Sequence, residues 1–472
     1  MNGIYWYVSN STSKRPDREN PEALSPLPPI SSVPYLNTKP GVAFVGQETC
    51  TGCHAELGQT YRQTAHAQAL ATVQLDEEPE SAEFAVEEGQ RRYRIFRKDD
   101  QLWHEESLRT SPGKELVLSQ YPMKWAIGSG RFSKSYLVDV DGFLVQSPVT
   151  WYRSRPGWAL SPGYDRYNSS FERTTELRCI LCHVGRAEPR EDSFHRMTIH
   201  TQAIDCERCH GPGALHTAQR TDHPESEQVS EDLTIVHPGR LDREHREAIC
   251  AQCHLHAAAM VELRGRRLRD FRPGLALTDF AIPYGLETPG KKMQVVGHME
   301  QMRLSPCYQK SETLTCTTCH NPHVPSAAVD PADFRKTCLE CHAVESCGLE
   351  MAERIKQESN DNCITCHMPK SPTDIPHFAF THHRIGIHSP AETGSEETPD
   401  RLVPLADVSK LPALDQDRNL GLAYLQVSDH PEHLQHAGYY RNEARRLLDS
   451  VHNRGLRDPA VNAGLARLYW QV

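Results

Sequence analysis

The chain has 472 residues, 24% of them charged and 38% hydrophobic, with a formal net charge of −10 and 33 prolines against 12 phenylalanines. That charge balance excludes a basic nucleic-acid stripe, and no continuous apolar run approaches the roughly 18 residues of a membrane span. A chain this poor in core formers buries too little apolar surface by its own side chains.

In chain order, Met1 to Val8 has neither a basic n-region nor an adequate apolar h-region, so no signal peptide is visible at the given start. Residues 1–42 read as a Pro-rich linker, with Pro16, Pro21, Pro26, Pro28, Pro29, Pro34 and Pro40. A helix is predicted from His54 to about Ala71. From about 84 to 167 the texture turns to a small β-rich insertion. There Arg91–Arg97 and Ser135–Val145 read as strands, the second carrying an Asp141-Gly142 turn.

Seven copies of Cys-x-x-Cys-His punctuate the chain. They are Cys50, Cys53, His54; Cys179, Cys182, His183; Cys206, Cys209, His210; and Cys250, Cys253, His254. After a gap follow Cys316, Cys319, His320; Cys338, Cys341, His342; and Cys363, Cys366, His367. A zinc ribbon does not require His after every second Cys, and a thioredoxin-like redox pair would occur once. The pentapeptide is instead the attachment signature of a c-type haem, whose vinyl groups the two thiols engage while the His reaches the iron. Seven covalent haems would supply the missing apolar core, and their attachment implies export to the periplasm or an equivalent compartment. The lack of a visible leader then means either that the mature form starts here or that the true start lies upstream. Fourteen of the 16 cysteines fall in the motifs. The remaining Cys307 and Cys347 either form a disulfide or stay free.

The tail from 412 to 472 carries helical stripes at Leu420, Leu422, Ala423 and Leu425 and at Ala444, Leu447 and Leu448. Asp458-Pro459 reads as an N-cap followed by Pro at N1. Two readings fit these helices: a tetratricopeptide-like segment available for protein docking, or a plain helical hairpin on the haem domain. The expected architecture is therefore mainly α. It consists of a linker (1–42), a multihaem cytochrome c domain of short helices around stacked haems (43–395, with the β-rich insertion) and a helical-repeat-like tail (412–472).

Seven of the 26 histidines are proximal ligands, leaving a large stock for the far faces of the haems. His66 follows His54 by twelve residues, about 18 Å along a helix, so the two cannot share an iron. His323 sits on the attached side of its own motif, and Gly211-Pro212-Gly213 would swing His216 towards a neighbouring haem. These three, with His298, His377, His383 and last His200, are the candidate distal ligands. His104, His223, His430, His433, His436 and His452 read as surface or hydrogen-bonded histidines.

Glu48–His54 with His66-Ala67, Ile127–Arg131, Trp151-Tyr152, Ser161–Tyr164, Cys206–Gly213, Cys319–His323 and Cys363–Pro369 with His377 and His383 carry a resemblance. Over residues 45–390 the chain resembles a family of multihaem cytochromes c related to the tetrahaem electron carrier that partners hydroxylamine oxidoreductase. Several members carry a tetratricopeptide tail. All seven motifs here end in His, so the Lys-ligated catalytic haem of related nitrite reductases does not carry over. The resemblance implies an electron carrier exchanging with redox partner proteins. The other reading is an oxidoreductase acting on a small nitrogen or sulfur species at one five-coordinate haem. Its best available cluster is Lys124, Arg131 and Tyr136 around the Gly128-Ser129-Gly130 turn.

Overall fold

The computed structural model describes residues 24–470, except 88–89, 112, 154–156, 192, 194, 223–230, 288–296, 371–380 and 389–398. The expectations for Met1–Val8, Pro16, Pro21, His223 and His377 fall outside these described residues.

Side chains alternate across the strand Arg91–Lys98: Tyr93 and Ile95 go inward and are fully buried, whereas Arg92 and Arg94 stay outside and pair with Glu115 and Glu105. Asp99 and Asp100 both take positive φ, giving the two-residue turn that matches strand twist and leads into Gln101–Ser111. Ala82–Val86 and Lys114–Pro122 complete a four-stranded antiparallel sheet. The Asp141-Gly142 turn behaves likewise, with φ of 51° and 82°, joining Ser133–Val140 to Phe143–Tyr152.

That second hairpin belongs to a five-stranded sheet with Leu70–Thr72, Trp125–Ile127 and Gly157–Leu160. One face shares a core with the first sheet through Tyr93, Ile95, Leu102, Tyr136, Val138 and Val149. The other face presents Leu70, Trp125, Leu137 and Leu144 to Ile180, inside the second motif, to Val184, just after it, and to Ala187 and Met197 of a small hairpin. The β unit is thus a platform that fixes the second Cys-x-x-Cys-His.

The mainly α expectation is overturned. The described residues contain 14 strands in four antiparallel sheets beside 15 α-helices. Strands lie well outside 84–167, in the pair Arg186–Pro189 with Met197–Thr201 and in the sheet of Ala259–Glu262, Ala281–Leu286 and Leu402–Pro404. Strands of three to six residues show too little alternation to be read in advance. Many helices are equally short: Leu177–Ile180, Glu207–His210 and Cys316–Cys319 are single turns.

The helix predicted over His54–Ala71 also differs. Gln47–Cys53 and Ala55–Tyr61 are separate helices meeting at His54, whose ψ of 50° interrupts the ladder. The Thr64 hydroxyl then accepts from Ala67 N–H at 3.2 Å, and the chain turns into Leu70–Thr72.

At the far end lie Ala413–Ser428, Ala437–Asn453 and Pro459–Trp470, the last capped by Asp458, which accepts from Val461 N–H at 2.8 Å. Leu422, Leu425, Leu448 and Leu465 share one core with Ala259, Val261, Ile282 and Tyr284 of the three-stranded sheet. The Arg264–Asp415 ion pair at 2.9 Å reinforces that seam.

Candidate haem-binding cavity

The motif helix Arg243–His254 is capped by Asp242, which accepts from His245 N–H, and buries Ala248 and Ala251 against Leu255, Phe271, Leu275 and Met299. Glu207 sits inside the third motif, 3% exposed. Its carboxylate accepts from the backbone of Val45, Gly46 and Gly213 at 2.8–2.9 Å, joining the first motif's helix to the third motif.

Cysteines from different motifs meet. Cys50 lies beside Cys206, Cys182 beside Cys253, Cys250 beside Cys316, and Cys338 beside Cys363. No disulfide joins Cys307 and Cys347; Cys307 lies near Cys319, and Cys347 lies against Arg354.

Two imidazoles on opposite faces of one metal, each bonded at roughly 2 Å, have ring centroids roughly 6 Å apart. Four motif histidines face another histidine at this separation: His54 and His216 at 6.4 Å, His210 and His323 at 6.0 Å, His254 and His66 at 5.9 Å, and His320 and His383 at 6.2 Å. In every pair the second histidine comes from outside the motif that supplies the first.

Several of these rings have Nδ1 anchored, which orients Nε2 for a metal. Nδ1 of His216 donates to Asp232 at 2.9 Å, that of His210 to the Val236 carbonyl at 3.0 Å, and that of His383 to the Thr381 carbonyl at 2.9 Å. Burial drives His254 and His383 down to a pKa of about 3, helped by the neighbouring His298, so both rings are neutral donors at physiological pH.

A cavity of ≈ 3050 Å³ runs past the first four motifs and includes His66, His216 and His323 on its wall. Pockets for a single drug-sized ligand span roughly 300–1,000 Å³, so this space suits several flat cofactors. Paired imidazoles, adjacent thiols and the cavity together fit covalently held haem, which when bound supplies one-electron chemistry at its iron.

Other candidates go elsewhere. His200 lies on an exposed hairpin with Nε2 3.3 Å from Glu188. His298 is wedged between His254 and His383, at 5.3 and 4.4 Å. Nδ1 of His367 donates to the Gly386 carbonyl at 3.0 Å, with the ring of His388 close by. His430 and His433, read from sequence as peripheral, line the cavity together with Leu422, Leu425 and Arg467 of the C-terminal helices. Only the tertiary packing of the tail reveals that. Lys124, Arg131 and Tyr136 do not converge. Lys124 lies over Trp125, Arg131 donates to Ser326 at 2.7 Å, and buried Tyr136 donates to Glu78 at 2.5 Å.

Residues 49–98 and 163–211 match the family model for cytochrome c554 and c-prime. These stretches contain His66 and the first, second and third motifs entire. The match supports a multihaem c-type cytochrome with covalent haem c and an electron-carrying role. A solved structure, the outer cell wall cytochrome OcwA, aligns over 91% of this chain and 99% of that chain at 14% identity and a TM-score of 0.39. No curated protein matches the sequence.

Proposed function

We propose that this protein relays electrons between redox partner proteins through haem c attached at all seven Cys-x-x-Cys-His motifs. The observation that carries this reading is the set of four crossed histidine pairs at 5.9–6.4 Å. At these four sites an iron with imidazole on both faces would offer no open position to a substrate, so electron transfer is the chemistry that remains there. Two-histidine ligation also favours lower potentials than His/Met ligation. Contacts between cysteines of different motifs support closely packed haems rather than isolated ones. Haem c attachment is chemistry of exported proteins, which supports a periplasmic or equivalent location.

The oxidoreductase reading needs an open iron with proton donors beside it. The dispersal of Lys124, Arg131 and Tyr136 leaves it without that support. The test is carbon monoxide added to the fully reduced holoprotein, with paramagnetic resonance of the oxidised form. The relay reading expects predominantly low-spin ferric signals and no rapid CO binding. One equivalent of CO bound quickly per protein, with a matching high-spin signal, would overturn it.

A further inference from the structure

The short helix His298–Arg303 touches the fourth and fifth motifs at once. Met299 and Met302 pack with Ala248, Ala251 and Leu255 of the fourth motif's helix and its exit. The Glu300 carboxylate accepts from Ala257 N–H at 2.6 Å, three residues past His254. On the other side, Gln301 Oε1 accepts from His383 N–H at 2.7 Å. Just beyond the helix, Ser305 Oγ donates to the His383 carbonyl at 3.2 Å and accepts from Ile385 N–H at 2.8 Å. The two motifs also meet directly through Cys250 and Cys316.

His298 projects from this bracket between the two ligand pairs. Its centroid is 5.3 Å from His254 and 4.4 Å from His383, with interplanar angles of 75° and 87°. These are edge-to-face aromatic contacts, and the 4.4 Å approach is too close for a metal between the rings. Each neighbour already has a partner at the spacing that a shared iron requires: His66 at 5.9 Å from His254, and His320 at 6.2 Å from His383.

We infer that His298 is a positioning residue shared by the fourth and fifth iron sites, binding neither iron and fixing the ring orientations of His254 and His383. The inference rests on the bis-histidine reading of those two sites. It adds that their axial rings are set jointly by one bracket, so the two sites respond together when it is disturbed.

The experiment compares His298→Ala, His298→Phe and Gln301→Ala holoproteins with the parent. Haem stoichiometry is read by intact mass, ligand geometry by paramagnetic resonance of the oxidised form, and potentials by spectroelectrochemical titration. His298→Ala is expected to keep the parent's haem count and remain low-spin, while two low-spin signals shift their g-values and two potentials move together. His298→Phe, which keeps an aromatic edge, should return both towards the parent. Gln301→Ala removes no ring yet, by loosening the same bracket, should move both signals, the His320–His383 one more, and it serves as the readout if His298→Ala fails to fold. A new high-spin signal with one equivalent of CO bound would make His298 an axial ligand and overturn the inference. So would unchanged signals in all variants, or a shift confined to one site on His298→Ala. A parent protein without bis-histidine low-spin signals would instead remove the underlying reading.

Discussion

His216 is fixed by its Nδ1 bond to Asp232, a carboxylate that also receives Arg220 at 2.8 Å and the Thr234 backbone at 2.9 Å. A ring held this firmly should be a dedicated ligand. His216→Ala should therefore convert one haem from low-spin to high-spin and open one CO site, read by paramagnetic resonance and CO difference spectra; an unchanged spectrum would show that His54 takes its partner elsewhere. His104 tells a different story. It is fully buried between Tyr136 and Trp158, with Nδ1 2.8 Å from Ser147 Oγ, and burial lowers its pKa from 6.5 to about 3. The unfolded chain takes up this proton near pH 6.5, whereas the folded chain resists it until about 3. Stability from this residue is thus full above pH 6.5 and is lost as pH falls towards 3, by at most about 5 kcal/mol. Thermal unfolding measured from pH 7.5 to 4 should show a flatter slope for His104→Leu than for the parent. Equal slopes would mean that the ring is already accessible in the folded state.

The strand at Arg91 and the Asp141-Gly142 hairpin of the β unit were legible because their chemistry is local. Tyr93 and Ile95 alternate with arginines, and Asp141-Gly142 supplies the positive φ that such a turn demands. The small strands were not legible, because Ala259–Glu262 and Leu402–Pro404 acquire their partners only by long-range pairing with Ala281–Leu286. The motifs name the attachment residues in the sequence itself, whereas which histidine faces which motif needed tertiary structure. The C-terminal helices followed their apolar stripes, and Leu448 lies fully buried among Leu422, Leu425 and Leu465. Leu448→Ala should cost about 3 kcal/mol through lost burial and the cavity left behind, seen as a lower denaturant midpoint with haem content intact. A loss below about 1 kcal/mol would mean that this layer repacks freely.

At the scale of the molecule, the apolar side chains of the described residues form five buried clusters, four of which contribute to the wall of a large cavity. If haems fill that space, intact mass with a pyridine haemochrome assay should give seven per chain after co-expression with the maturation machinery. Five or fewer would refute attachment at every motif. Replacing Cys206 and Cys209 by Ala should remove one haem and lower thermal stability across the whole molecule, because Glu207 and His210 between them connect the first, third and fifth motif segments. Parent-like stability in that variant would separate the haems from the core.

The crossed histidine pairs carry a consequence for biogenesis. His66 is made early and His254 much later, and His210 likewise precedes the His323 that faces it. A bond between such distant positions acts as a staple, closing a long loop much as a disulfide does. Ligation at the third motif would then wait for the later His323, whereas the fourth motif would find His66 already made. If the haems are held as proposed, the maturing protein would pass through states in which early irons carry a single histidine.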